Sequence, residues 1–498
     1  MQVTKSNRKR IVKWILGILL VLFLILSSIA WFLNVKSRPL LTNQIKTLVY
    51  QSTDSLYVIS FTKVTTNILT GNATLANVKI VPDTNRYKEL IALKRAPNNL
   101  YTVTLKKLSV RHFHPLTLYR EGRLQLDELI FDKPAVLMQN KQYAFNEGRA
   151  PRPIKSPYAF ISKNLKEFSI KSIRFIDASF TYENRNVINT KPFHIDDLNI
   201  TLTDLLLDST SAEDKNRFYL LKDVFINLKN YIYTTPDRMY DIKVDKLAFR
   251  ATSGKLRIDS FALVPRYNEM EFGRRAGYAR ERFHIKMTNI LLDKIDLPLY
   301  ISKQELWAKE MTIAYGFVSV FNNNSLADKP SESKIGKFPH QLLQLVNAPL
   351  LVQKIKLKDV DVSYAVFDDE SKQKGKITFD HTSGTIKNAT NLQKIKDINP
   401  IMEVNLTSYL LKQGKLDVNF KFDLTAKDGA FTYDGVLHSF NARVLNQITK
   451  PLGLIRINRG SVDKLKFNFK GNDFGARGKV AFSYYDLSVA LMKTDPNK

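Results

Sequence analysis

The 498-residue sequence contains no cysteine. That absence excludes disulfide frameworks, thiolate zinc sites, iron–sulfur clusters and cysteine nucleophiles. It leaves the redox compartment open, because a chain without thiols is tolerated anywhere. Other marks of chemistry are missing too. There is no Gly-x-Ser-x-Gly elbow and no His-Glu-x-x-His ligand pair. Gly471, Gly475 and Gly478–Lys479 lack the spacing of a phosphate loop, and no Ser or Thr follows the lysine, so they read as a hairpin turn. Of the seven histidines, only His112 and His114 are close in sequence. No carboxylate sits beside them, and they read as surface residues before the Pro115 turn. Asp196–Asp197 and Asp368–Asp369–Glu370 read as solvated loops between strands. The expectation is a chain that is not an enzyme and carries no metal and no cofactor.

What the sequence has is positive charge. Lys and Arg number 76 against 47 Asp and Glu, a net +29, and 44% of residues are hydrophobic, enough to exclude wholesale disorder. An excess of this size calls for an anionic neighbour: nucleic acid, a membrane surface or an acidic polymer.

The N-terminus narrows the choice. Residues 1–13 carry Lys5, Arg8, Lys9, Arg10 and Lys13 and no acid. An uncharged run follows over 14–33, with Trp14, Ile15, Leu16, Leu20, Phe23, Leu26, Trp31 and Phe32 as its bulky members. Twenty residues at about 1.5 Å each span the ~30 Å hydrocarbon core of a bilayer. The basic tail places residues 1–13 in the cytoplasm and exports the rest. A cleavable signal peptide is the competing reading, since Ser28 and Ala30 are spaced as a signal peptidase requires. Trp31, Phe32 and Leu33 extend the apolar run past that cut, which favours an uncleaved anchor. Export removes nucleic acid as a partner. Without the five basic residues of the tail, 71 basic residues still exceed the 47 acidic ones by 24.

Beyond the anchor, Leu40, Leu41, Ile45 and Leu48 are spaced for one short amphipathic helix within 34–55. From Leu56 the period becomes two, and an apolar-x-apolar-x-x-apolar-x-apolar unit recurs. It includes Val103/Leu105/Leu108/Val110, Leu124/Leu126/Leu129/Phe131, Phe168/Ile170/Ile173/Phe175 and Phe193/Ile195/Leu198/Ile200. Further copies are Ile242/Val244/Leu247/Phe249, Leu256/Ile258/Phe261/Leu263 and Ile355/Leu357/Val360/Val362. Successive strand residues face opposite ways, so a bulge or bend at the x-x step is needed to keep one face apolar. Short helices are expected at 338–346 and 439–449, and loops at 146–157 and 322–337. The fold class is mostly β: an elongated, curved, mainly antiparallel sheet with a few short helices. About 30 strands at ~4.8 Å would make a sheet on the order of 145 Å long, which must curl into a groove or split into sandwiches. A large uncovered apolar face implies a ligand or membrane contact. The candidate lining residues are Val103, Leu105, Leu124, Leu126, Phe168, Ile170, Ile242, Val244, Leu256, Ile258, Ile355 and Leu357. The stretch 266–282 (RYNEMEFGRRAGYARER) interleaves aromatics with arginines. Arg274, Arg275, Arg280 and Arg282 are candidates for anionic headgroups, while its three glutamates equally allow self-pairing on a short helix.

The membrane helix, the short helix and LYVISFTKVTTNILTGNATLANVKI (56–80) resemble the opening of AsmA-like proteins of the bacterial envelope. GAFTYDGVLHSF (429–440), LNQITKPLGLIRI (445–457), GSVDKLKFNF (460–469) and GKVAFSYYDLSV (478–489) resemble the family's C-terminal region, where an Asn-x-x-x-x-Pro helix precedes the closing strands. The resemblance covers both ends, and the middle through its strand pattern alone. It implies a chain organised as cytoplasmic tail (1–13), inner-membrane anchor (14–33), short helix (34–55), repeating β-groove (56–335) and AsmA-like C-terminal region (336–498). It further implies a periplasmic groove that shields glycerophospholipid acyl chains and serves lipid transport and outer-membrane homeostasis. The inner membrane and an outer-membrane or periplasmic protein would be its partners. A scaffold of β-sandwiches holding anionic polymer is the alternative.

Overall fold

A computed structural model describes residues 45–492, apart from 48, 52, 68–69, 148–157, 159–160, 163–164, 188–191, 212, 215, 218–219 and 329–335. The anchor residues Trp14, Ile15, Leu16, Leu20, Phe23, Leu26, Trp31 and Phe32 lie outside the described residues. Among those described, no helix is long and apolar enough to cross a membrane. The fold is mostly β, with 59% strand and 15% helix, as period-two alternation requires.

The described residues hold 23 strands, fewer and longer than the 30 expected, because six of the seven apolar-x-apolar-x-x-apolar-x-apolar units run within one kinked element; the seventh, Ile242/Val244/Leu247/Phe249, is divided between β11 and β12. The first nine are β1 (Tyr57–Ser60), β2 (Lys63–Asn67), β3 (Asn72–Pro82), β4 (Asn99–Phe113), β5 (Arg123–Asp132), β6 (Ala135–Asn140), β7 (Glu167–Asn184), β8 (Phe193–Leu207) and β9 (Asp223–Leu228). Then come β10 (Tyr231–Thr234), β11 (Tyr240–Val244), β12 (Leu247–Arg250), β13 (Lys255–Pro265), β14 (Arg282–Ile295), β15 (Leu306–Asn323), β16 (Leu350–Phe367) and β17 (Lys374–Thr390). The last six are β18 (Ile401–Leu410), β19 (Gly414–Asp423), β20 (Phe431–Leu437), β21 (Phe440–Asn441), β22 (Ile455–Asn472) and β23 (Gly475–Leu491). Helices between them are α1 (Thr84–Ala92), α2 (Pro115–Glu121), α3 (Glu269–Ala276), α4 (Leu297–Lys303), α5 (Pro339–Gln344), α6 (Gln393–Lys396) and α7 (Asn446–Gly453). The 3-10 turn Ala442–Leu445 leads into α7. Sequence reading finds α5, α7 and the helical residues 45–47 and 49–51, has a short helix as one of two readings where α3 lies, and misses α1, α2, α4 and α6.

The chain divides into two units, 1–229 with 249–252, and 230–248 with 253–498. The boundary expected between 335 and 336 falls inside the second, in the connection from β15 to β16.

In the first unit β3, β4 and the β5/β6 pair follow antiparallel, and β7 then runs parallel to both β5 and β6. Parallel neighbours need a crossover, and the β6–β7 connection supplies it. Its Ile161 and Leu165 enter the core with Ile45 and Val49 of the first helix and Leu90 of α1. The second unit repeats the device. β15 and β16 run parallel, and their connection lays α5 on the sheet, placing Leu343 against the core of that unit.

The x-x steps are kinks, as alternation demands, and the left-handed residue that makes one commonly sits on the facing strand. Asn77 faces the Lys106 step, Asp204 the Lys171 step and Asn289 the Asp259 step; these three have φ of 51°, 54° and 51°. His112, Asp177, Asp197, Lys294, His381, Asn388 and Asp486 adopt the same conformation within strands. Short polar side chains suit it, because they tolerate left-handed φ and bond locally. The N–H groups freed at three kinks are taken by a side chain of the neighbouring strand: His112 by Asn72 Oδ1 (3.0 Å), Asp177 by Asn199 Oδ1 (3.1 Å) and His381 by Asp361 Oδ1 (2.9 Å).

Candidate functional site

The twelve candidate lining residues divide by unit. Leu124, Leu126, Phe168 and Ile170 are at most 1% exposed, and Leu105 is 6% exposed. They belong to one closed core with the helical residues named above, and Val103 packs against it. Those five leave almost no accessible surface for a ligand and are core, whereas Val103 is half-buried at the edge of that core. Their repeat unit looks the same in sequence as the open ones. What differs is the cover from distant segments.

In the second unit Ile242, Val244, Leu256, Ile258, Ile355 and Leu357 are all half-buried. Strand register organises four of them into rows. One row passes across ten strands as Leu256, Leu292, Met311, Ile355, Ile386, Val404, Phe420, Tyr433, Phe469 and Gly478. A second passes as Ile258, Ile290, Ile313, Leu357, Gly384, Leu406, Val418, Gly435, Phe467 and Val480. Directly opposed residues share a face, so both rows lie on one side of the sheet. Nine strand spacings of ~4.8 Å make each row about 43 Å long.

The other side is polar along the same strands apart from Leu291: Arg257, Leu291, Thr312, Lys356, Thr385, Asn405, Asn419, Asp434, Asn468 and Lys479. At one end of the apolar rows the surface is aromatic. Phe420 stacks on Tyr433 at 5.5 Å and Tyr433 on Phe469 at 5.1 Å. Phe467 lies over Gly435, where an added Cβ would approach its ring to 2.5 Å.

Where α5 sits on this face, His340 is 1% exposed and stacks on Phe422 at 4.7 Å. Neither of its ring nitrogens makes a hydrogen bond of ordinary geometry, although the Gly429 backbone interacts with the ring. Burial pushes its pKa down, while the backbone of Gly429 and the carboxylates of Asp473 and Asp423 pull the other way. Gln341 Nε2 ties the helix to Asp473 at 3.0 and 3.1 Å.

No family model and no curated protein matches the chain.

The arginine stretch folds into α3 and its flanks and pairs internally. Arg275 meets Glu271 at 3.1 Å and lies over the Tyr267 ring at 5.3 Å. Arg280 meets Asp237 at 3.1 Å, and Arg282 Nε donates to the Tyr267 carbonyl at 3.0 Å. Arg274 has no ion pair with a described residue. Three of the four headgroup candidates are therefore already engaged.

His112 and His114, which lack an acid beside them in sequence, share one in space. Asp127 on β5 lies 3.4 Å from His112 and 3.3 Å from His114, and also takes Lys171 at 2.6 Å. The lysine, then His114, hold the Asp127 carboxyl below its ordinary range. With an ammonium already bound, this is an ion-pair cluster and no cation site. Asp359, Asp361 and His381 bring their ligand atoms within 4.8 Å of one another. His381 Nδ1 meets Asp359 at 3.0 Å, so the cluster pins a kink. Asp368 accepts from the N–H groups of Glu370 and Ser371 and closes a turn. Asp196 pairs with His194 at 2.6 Å, beside the left-handed Asp197. Gly471, Gly475 and Gly478 belong to the β22–β23 hairpin, where Asn472 pairs with Gly475.

Proposed function

We propose that the apolar face of the second unit shelters lipid acyl chains, in a protein anchored in the bacterial inner membrane with its bulk in the periplasm. Its role would be phospholipid movement between membranes and outer-membrane homeostasis, of the AsmA-like kind. The observation that supports this most is the pair of apolar rows crossing ten strands, in which Ile290, Leu292, Ile313, Val404 and Val418 are buried while the other aliphatic and aromatic members are half-buried or exposed. A soluble sheet face of that extent without full cover favours apolar ligands. The mechanism is partition, each buried methylene contributing about 0.8 kcal/mol, so chains enter and slide without a covalent step. The residues to test are Leu256, Ile258, Ile355 and Leu357, with Ile242 and Val244 on the neighbouring strand β11; Leu126 and Phe168 are structural.

The deciding experiment is mass spectrometry of lipid extracts from the detergent-purified full chain. Co-purifying glycerophospholipid, depleted in Leu357→Asp, supports the reading. Its absence from the unaltered chain, with retention of anionic polymer instead, would establish the scaffold alternative.

A further inference from the structure

We propose that two copies of this chain join edge to edge through β23, antiparallel about a two-fold axis at Phe482. Among the described strands β23 pairs only with β22. It is 17 residues long, and no described strand pairs with its second edge. Exposed edges are normally blunted by brevity, charge or bulges. β1 and β2 are four and five residues long, but the charges of β23 are only Arg477 and Lys479 near its start and Asp486, which pairs with Arg459 of β22. Its kink at Asp486, with φ of 48°, limits regular pairing to residues before it.

Side-chain exposure along that straight section is high: Val480 54%, Phe482 43%, Tyr484 53% and Tyr485 67%. Val480, Phe482 and Tyr484 alternate on the apolar side, opposite Phe467, Leu465 and Val462 of β22. With Phe482 on the axis, it faces its own mate, and each Val480 faces Tyr484 of the second copy. On the polar side each Lys479 faces Tyr485 of the second copy, an ammonium against an aromatic ring. Aromatic and β-branched cross-strand pairs are the favourable ones, and no like charges are opposed. Moving the axis to Ala481 keeps the faces matched but sets Gly478 against Tyr484, burying less side chain. The axis at Phe482 also carries one of the two apolar rows, the one that ends at Val480, onto Tyr484 of the second copy. The pairing depends on β23 alone and holds whatever the apolar face carries.

The absence of native cysteine makes the test direct, because one introduced cysteine reports one contact. Full-length Phe482→Cys, Ala481→Cys and Phe474→Cys variants, purified in detergent, are oxidised and followed as covalent dimer. Opposed Cα atoms about 5 Å apart fit disulfide geometry. Phe482→Cys is expected to cross-link fastest, on the order of tenfold ahead of Phe474→Cys at the hairpin tip. Mass photometry of the unaltered chain is expected to give a dimer, and Phe482→Lys a monomer with the same thermal midpoint. A monomeric unaltered chain, equal rates at 474 and 482, or a faster rate at 481 would overturn the proposal. Lipid bound to a monomer would overturn it while leaving the function proposed above intact.

Discussion

At the scale of single residues, His340 is the side chain with the poorest chemical match to its surroundings. A phenylalanine would fill a pocket lined by Phe338, Phe422 and Phe431 without two nitrogens that lack a hydrogen bond of ordinary geometry. Burial disfavours its charged form, so the folded pKa lies below the ordinary value of 6.5. The unfolded chain therefore binds the proton more readily, and stability falls as pH drops below about 6.5 toward the folded pKa. Urea midpoints measured from pH 7.5 to 5 should decline for the unaltered chain. His340→Phe should flatten the decline, and an unchanged slope would remove His340 as its source. The same scale separates core from ligand-facing positions. Leu126→Asp places an unpaired charge in a closed core and should abolish cooperative folding. Leu357→Asp sits on a half-open face, so it should keep the circular-dichroism spectrum and lose lipid.

At the scale of elements, the kinked strand is the repeated invention. Left-handed positions discriminate sharply between side chains: Asn289→Val should cost about 1–2 kcal/mol, whereas Asn289→Gly should be nearly neutral. Asn199→Ala, which strips the acceptor from the Asp177 N–H, should cost about 0.5–1.5 kcal/mol. Denaturant titration of the three variants checks both. The need for these kinks is legible in the sequence, because Ile258-x-x-Phe261 cannot keep one face apolar without them. Which strand bears the left-handed residue is not legible, since that is settled between neighbours, Asp259 against Asn289. The parallel pairs are equally hidden. Nothing local in β15 or β16 distinguishes a parallel partner from an antiparallel one, and the crossover that tells them apart passes through a polar loop. The same blindness explains Leu126. Its repeat unit matches that of Leu357 in apolar spacing, and only residues such as Ile45, Leu90 and Ile161, remote in sequence, close the face above it. Asp127 gathers His112 from β4, Lys171 from β7 and His114 from the cap of α2, an arrangement that adjacency in sequence could not reveal.

At the scale of the whole molecule, charge and apolar surface make different demands on salt, and that difference separates the two readings of this protein. The net charge of +29 favours anionic surfaces through forces that fade once the Debye length shrinks from about 8 Å at physiological ionic strength to about 3 Å at 1 M. Acyl chains held against Ile258, Ile355, Leu357 and Phe420 are retained by exclusion from water, which added salt does not weaken. The chain should therefore bind anionic phosphatidylglycerol vesicles more tightly than neutral phosphatidylcholine ones at low salt, with the gap closing at 1 M. Lipid already sheltered on the apolar face should survive a 1 M salt wash with its stoichiometry unchanged. A scaffold that holds acidic polymer would behave oppositely, releasing its cargo in that wash and yielding no lipid in the extract. Washing one purified sample and weighing both fractions, lipid by mass spectrometry and polymer by its anionic residue content, decides between partition and electrostatic retention.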